Sequence, residues 1–138
     1  MEKIIFEQNI YTFHIDFAGH VSNIVYIQWM EIGRLKLLKA VGMAAENIMK
    51  TDGIIPTLAA TTIRYRKQLF LGDRVRIEVR LSRLKYASAV MEFRFYNQHG
   101  ELTTSGSQTG LFIDAATFKP FRITDEKRKA FSRYLAEE

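Results

Sequence analysis

The sequence predicts an α+β fold in which an antiparallel sheet curls around one long buried helix. Two observations carry that expectation. A helical segment over 22–41 is apolar around most of its circumference, with Ile24, Val25, Ile27, Trp29, Met30, Ile32, Leu35, Leu37 and Leu38, so burial on most sides is expected. After Pro56 the chain reads as strands joined by short turns, with no helix between them. Strands arriving as short-looped neighbours exclude a parallel β-α-β design.

Each element has a local reason. Residues 4–15 read as a first strand, with Tyr11, Phe13 and Ile15 alternating at its end before Asp16 turns the chain. Gly19 permits a tight turn, and Ser22 is a good N-cap preceded by Val21, which can pack on Tyr26 as a hydrophobic staple. Gly42 stops the helix, and Gly33 within it predicts close approach of another backbone. Residues 43–53 carry a short helical turn. Strand 57–67 places Ile63 and Tyr65 on one face and Arg64 and Arg66 on the other. Gly72 and Asp73 turn the chain into the clearest half-buried strand, where Val75, Ile77, Val79 and Leu81 alternate with Arg74, Arg76, Glu78 and Arg80. Strand 88–96 points Ala89, Met91, Phe93 and Phe95 inward, and 97–100 is a hairpin loop. Strand 102–113 is rich in Thr, Ser and Gly, which implies close packing on one face. A terminal helix over about 124–138 starts at Thr124 and docks through Phe131, Tyr134 and Leu135. Residues 1–138 read as one domain, without repeat or linker.

The stretch 13–38, FHIDFAGHVSNIVYIQWMEIGRLKLL, carries the chemistry. Asp16 stands a few residues ahead of the free N–H groups of a helix start, where negative charge is stabilised. Two roles fit it: a turn residue bonding its own backbone, or a nucleophile or general base with the amides near Asn23 holding an oxyanion.

Asp16, Gly19-His20-Val21, Asn23, Tyr26, Glu31 and Arg34 together resemble the D-x-x-G-H-V-x-N-x-x-Y-x-x-x-x-E-x-x-R pattern of hotdog-fold thioesterases, the 4-hydroxybenzoyl-CoA and acyl-CoA or acyl-carrier-protein group. The resemblance spans residues 4–120. It implies the hotdog fold and hydrolysis of an acyl thioester, with Asp16 as nucleophile or general base, the Asn23 N–H as oxyanion donor and His20 as a second acid–base or orienting group. It also implies a homodimer or dimer of dimers whose sites use both chains. Tyr26 would line the acyl pocket with Thr61 and Thr62, while Arg64, Arg66, Lys67, Arg83 and Lys85 are candidates for the phosphates of coenzyme A or of a carrier's phosphopantetheine. Each of those cations is equally at home on a solvated sheet face. Glu31 ranks second as a catalytic carboxylate, since ion pairing with Arg34 three residues on is its simpler role. His14 stands where several relatives carry a further Asp, a departure that touches fine mechanism. A non-catalytic acyl-CoA-binding or regulatory protein on the same fold is the alternative.

Composition limits the rest. The 138 residues are 47% hydrophobic and 25% charged, ordinary for a globular chain. There is no cysteine, and His14, His20 and His99 lack metal-ligand spacing, so neither a metal nor a resident cofactor is expected beyond the coenzyme A or phosphopantetheine of the substrate. The start lacks the apolar run of a signal peptide and no segment could span a bilayer, which makes the cytoplasm the expected compartment, with no membrane partner. The net charge of +5 and pI near 9.6 suit phosphate-bearing partners. Nucleic acid is not expected, because no matching motif is present and Phe93 and Phe95 sit at inward positions.

Overall fold

The computed structural model describes residues 1–136. In chain order they form β1 (Ile4–Asn9), α1 (Asn23–Ala40), α2 (Ala45–Thr51), β2 (Ile54–Tyr65), β3 (Arg74–Leu84), β4 (Ser88–Tyr96), β5 (Leu102–Asp114) and α3 (Asp125–Ser132). The strands make one five-stranded antiparallel sheet in the order β1-β3-β4-β5-β2, with α1 packed across one face. This is the hotdog arrangement that the motif implies.

Alternation builds the core face. Val75, Ile77, Val79 and Leu81 of β3 are wholly buried, and Ala89, Met91, Phe93 and Phe95 of β4 lie beside them. Their neighbours in sequence point to the opposite, charged face. Val25, Tyr26, Trp29, Met30, Gly33, Leu37 and Leu38 of α1 lie against this surface. Gly33 is a close contact of the helix with the sheet, made with side chains and not with the backbone expected: a Cβ there would stand 2.8 Å from Val79 Cγ2 and 3.2 Å from Phe93 Cε1. Below it, Gly106 of β5 leaves room for the end of Met30. The small residues of β5 thus do what their composition implies.

Three expectations change. The first strand ends at Asn9 and not at 15, because a 3-10 turn, Thr12–His14, intervenes. His14 causes it: its Nδ1 accepts the Tyr11 N–H at 3.0 Å, and its own amide returns to the Tyr11 carbonyl at 2.9 Å. Second, α1 is not buried all round. Ile24 is 67% exposed and Ile27, Ile32 and Leu35 are also open, because the sheet covers only one side of the helix. Third, the last helix ends at Ser132, and the remainder of the expected span either is not helical or, at 137–138, lies outside the described residues. Its start is as expected, with Thr124 Oγ1 accepting the Lys127 N–H at 3.3 Å. Among the described residues no helix is long and apolar enough to cross a membrane.

Candidate active site

The loop before α1 is closed on itself. Ile15 and Val21 form an antiparallel bridge. Inside it the Asp16 N–H donates to the His20 carbonyl and the Gly19 N–H to the Asp16 carbonyl, both at 3.0 Å. Gly19 has φ +86°, a conformation that a Cβ would strain. Two ties fix the loop from outside: Val21 N–H to the Leu69 carbonyl at 2.8 Å, and Ser22 N–H to the His14 carbonyl at 2.9 Å.

Within this frame Asp16 Oδ1 accepts the Ala18 N–H at 2.9 Å, and Oδ2 lies 3.9 Å from His20 Nδ1. That nitrogen is also 3.2 Å from the Val21 carbonyl oxygen, which assigns the proton to Nδ1 and leaves Nε2 as the open ring nitrogen. The turn role and the chemical role of Asp16 are therefore compatible: one oxygen serves the backbone while the other has no hydrogen-bond donor among the described residues.

Ser22 occupies the N-cap position with extended backbone, but its hydroxyl makes no capping bond. The Asn23 and Ile24 amides meet no acceptor among the described residues. The positive end of an 18-residue helix is thus left for an anion or a polarised oxygen.

The helix start at Asn23 borders a cleft of about 710 Å³ lined by His20, Val21, Asn23 and Tyr26 on the helix side. The other wall comes from the end of β2 (Tyr65), the loop that follows it (Arg66, Lys67, Gln68, Phe70, Asp73) and the β4–β5 loop (Asn97, Gln98, His99, Glu101). Antiparallel order explains the meeting, since the ends of β2 and β4 and the starts of β3 and β5 fall at one edge of the sheet. Asp73 fastens the two loops, accepting the Phe70 N–H and Gln98 Nε2 at 2.9 Å each. Lys67 pairs with Glu101, and that bond, with help from Asn97, holds the Glu101 carboxyl below its usual range. Asp16 does not line the cleft; its link to it is His20.

The remaining expected site residues are spread out. Tyr26 is buried among Trp29, Tyr65 and Phe95, and burial pushes its phenol upward, so it is a packing residue with one edge on the cleft. Arg66 borders the cleft, whereas Arg64 faces a separate groove on the other side of the sheet. Lys85 sits in the β3–β4 turn, six β4 residues or about 20 Å from the row of Arg64. Thr61 accepts from Gln108 Nε2 at 3.3 Å, and Gln108 Oε1 accepts from Arg34 Nη1 at 2.8 Å. Glu31, mostly exposed, is 3.5 Å from Arg34 and does not line this cleft. His14 is buried edge-on against Trp29, and burial lowers its pKa. Lys67, one of the phosphate candidates, does line the cleft, whereas sequence reasoning missed Asp73, His99 and Glu101. The signal for them was in the loops at 72–73 and 97–100, which strand order brings to the start of α1.

Comparison with known proteins agrees with the fold. The family model described as thioesterase-like superfamily matches residues 12–131. YneP of Bacillus subtilis, a provisionally named acyl-CoA thioesterase, is 28% identical over 84% of this chain and 80% of its own. The chloroplastic acyl-acyl carrier protein thioesterase ATL3 of Arabidopsis thaliana is 23% identical over 96% of this chain and 69% of its own. The crystal structure of a DHNA-CoA thioesterase from Staphylococcus aureus superposes with a TM-score of 0.85 at 26% identity, covering 96% of this chain and 91% of that one.

Proposed function

The chain belongs to the thioesterase-like superfamily, and from that premise we propose that it hydrolyses an acyl-CoA thioester to a free acid and coenzyme A, using the 16–23 segment as its catalytic element. One observation carries the reading: a fixed loop holds Asp16 3.9 Å from His20 just ahead of the open helix start, and His20 and Asn23 both line a cleft wide enough for a thioester. A thioester is already activated, so hydrolysis needs a base or nucleophile and donors for the carbonyl oxygen. The Asn23 N–H supplies the donor at the positive end of α1. Asp16 either attacks the carbonyl carbon, giving a mixed anhydride, or takes a proton from water. Because His20 and not Asp16 lines the cleft, a second arrangement also has support: His20 deprotonates the water while Asp16 steadies the imidazolium that forms.

Coenzyme A is preferred to a carrier protein because YneP is provisionally named an acyl-CoA thioesterase and the Staphylococcus aureus structure is that of a DHNA-CoA thioesterase. The name of ATL3 keeps the carrier as the competing substrate. The uncovered Ile24, Ile27, Ile32 and Leu35, together with β2 standing at the edge of the sheet, support a homodimer in which a second copy covers this side of α1 and closes the acyl pocket.

The experiment is thiol release across a panel of fatty and aromatic acyl-CoAs. Asp16→Asn should lower kcat by about 10²–10⁴-fold with the fold intact. Hydroxylamine trapping of an acyl-Asp16 adduct would assign the nucleophilic route. His20→Ala as damaging as Asp16→Asn, with no adduct, would assign the water route through His20. Unchanged turnover in Asp16→Asn rejects the carboxylate. A thermal shift with acyl-CoA but no thiol release means a binding protein.

A further inference from the structure

The face of the sheet turned away from α1 carries a groove that the thioester chemistry does not use. It has a volume of about 450 Å³ and runs over β2, β5 and β4. Its floor is small and hydroxyl-bearing, formed by Thr62, Ser105 and Ser107, with Gly106 between the serines. Its walls are Arg64, Arg66, Arg80 and Arg94, against one carboxylate, Glu92.

The register explains the shape. Ser105 is paired with Arg64 on one side and Arg94 on the other, so two guanidinium groups flank a short side chain across about 10 Å of sheet. Ser107 is paired with Thr62 and Glu92, and Glu92 in turn with Arg80. Among the described residues none of the four arginines makes an ion pair, although Lys3, Arg76, Lys67, Arg122 and Arg133 elsewhere all do. Glu92 stands opposite Arg80 and Glu78 opposite Arg94 in the register, yet neither makes an ion pair with them, Glu78 being engaged by Lys3 and Arg76. Like charges held together around a concave floor repel one another unless an anion lies between them. The guanidinium fork and the serine hydroxyls are donors matched to phosphate oxygens.

We propose that this groove binds a multiply charged phosphate ester, carried either by a nucleotide in solution or by the nucleotide end of a coenzyme A whose thioester occupies the cleft. Arg66 borders both concavities, which makes one ligand bridging them geometrically reasonable. A concave floor of side-chain size favours such a small anion over an acidic protein, which would call for a broad, raised basic surface.

The test measures binding of inorganic pyrophosphate and of adenosine 3′,5′-bisphosphate to the full chain by calorimetry at low and moderate salt. Because no turnover is read, its result is independent of whether the chain hydrolyses thioesters. Saturable, salt-weakened binding is expected, about tenfold weaker in Arg94→Ser, the scale of one charge-assisted hydrogen bond. Glu92→Gln, which keeps the shape and removes the acid, should tighten binding several-fold, and it carries the test should Arg94→Ser fold poorly. A KM for acyl-CoA raised about tenfold in Arg94→Ser, with the KM of an N-acetylcysteamine thioester unmoved, assigns the anion to the substrate. Both KM values unmoved, with anion binding still lost, assign it to a free nucleotide. Absence of saturable binding, affinity insensitive to both substitutions, or affinity for an acidic carrier protein alone would overturn the proposal.

Discussion

Gly33→Ala tests the packing of α1 on the sheet, because two effects of opposite sign meet there. At an exposed helix position the change stabilises by about 1 kcal/mol, since alanine is the better helix former. At Gly33 the added methyl would lie 2.8 Å from Val79 Cγ2, 3.2 Å from Phe93 Cε1 and 3.4 Å from Phe6 Cε1. Comfortable carbon contacts are about 3.5–4.0 Å, so the overlap with Val79 is roughly 0.7 Å or more. Val79 has no room to retreat: it is wholly buried, with Ile4 and Phe93 as its register partners. Overpacking of this kind costs about 1–3 kcal/mol, so the net expectation is a loss of about 1 kcal/mol, or roughly 3–5 °C in Tm. Urea and thermal denaturation of Gly33→Ala, Val79→Ala and the double variant give the coupling directly. The double variant should recover part of the loss, because the smaller residue at 79 makes space for the methyl. A Gly33→Ala protein as stable as the parent, or more so, would show that the helix does not lie where described.

Three further expectations follow from single contacts. Gln108, wholly buried, accepts from the Arg34 guanidinium at 2.8 Å, so Gln108→Leu strands a partly buried charge and should cost about 1.5–3 kcal/mol in urea denaturation. His14 is held below its ordinary value of 6.5 by burial, so the unfolded chain takes up a proton before the folded one does. Stability should therefore fall as pH drops through about 6.5 towards the folded-state value, and His14→Gln should flatten that part of the profile in thermal melts. Phe118 has φ +59° and an exposed ring, so Phe118→Asn, which tolerates the left-handed region, should raise stability by about 0.5–1 kcal/mol; an unchanged or lower melting temperature would count against strain there.

Much of the fold was legible because its signals are local. Alternation gave β3 and β4 nearly to the residue, and Thr124 marked the start of α3. Two errors have separate causes. Residues 10–15 look extended, but the His14 imidazole captures the Tyr11 amide and folds them into a turn, a competition between side chain and strand that no periodicity reports. The apolar circumference of α1 gave hydrophobicity without saying what covers it, and within one chain half of that circumference stays open. At the candidate site the nearest neighbours in sequence, Asp16, His20 and Asn23, were readable together, whereas Asp73, His99 and Glu101 reach the cleft only through strand order. Arg64 and Arg66 share one face by alternation, yet Arg66, just past the end of β2, borders the cleft as well as the groove that it shares with Arg64.

The long β2 edge has a consequence for isotope exchange. Along such a margin, amides engaged with β5 exchange with solvent deuterium slowly, while those alternating with them face outward and exchange fast, giving a comb-like record along 54–65. A neighbour laid against that margin would slow the fast teeth of the comb first, and where they slow would mark the length of strand it occupies.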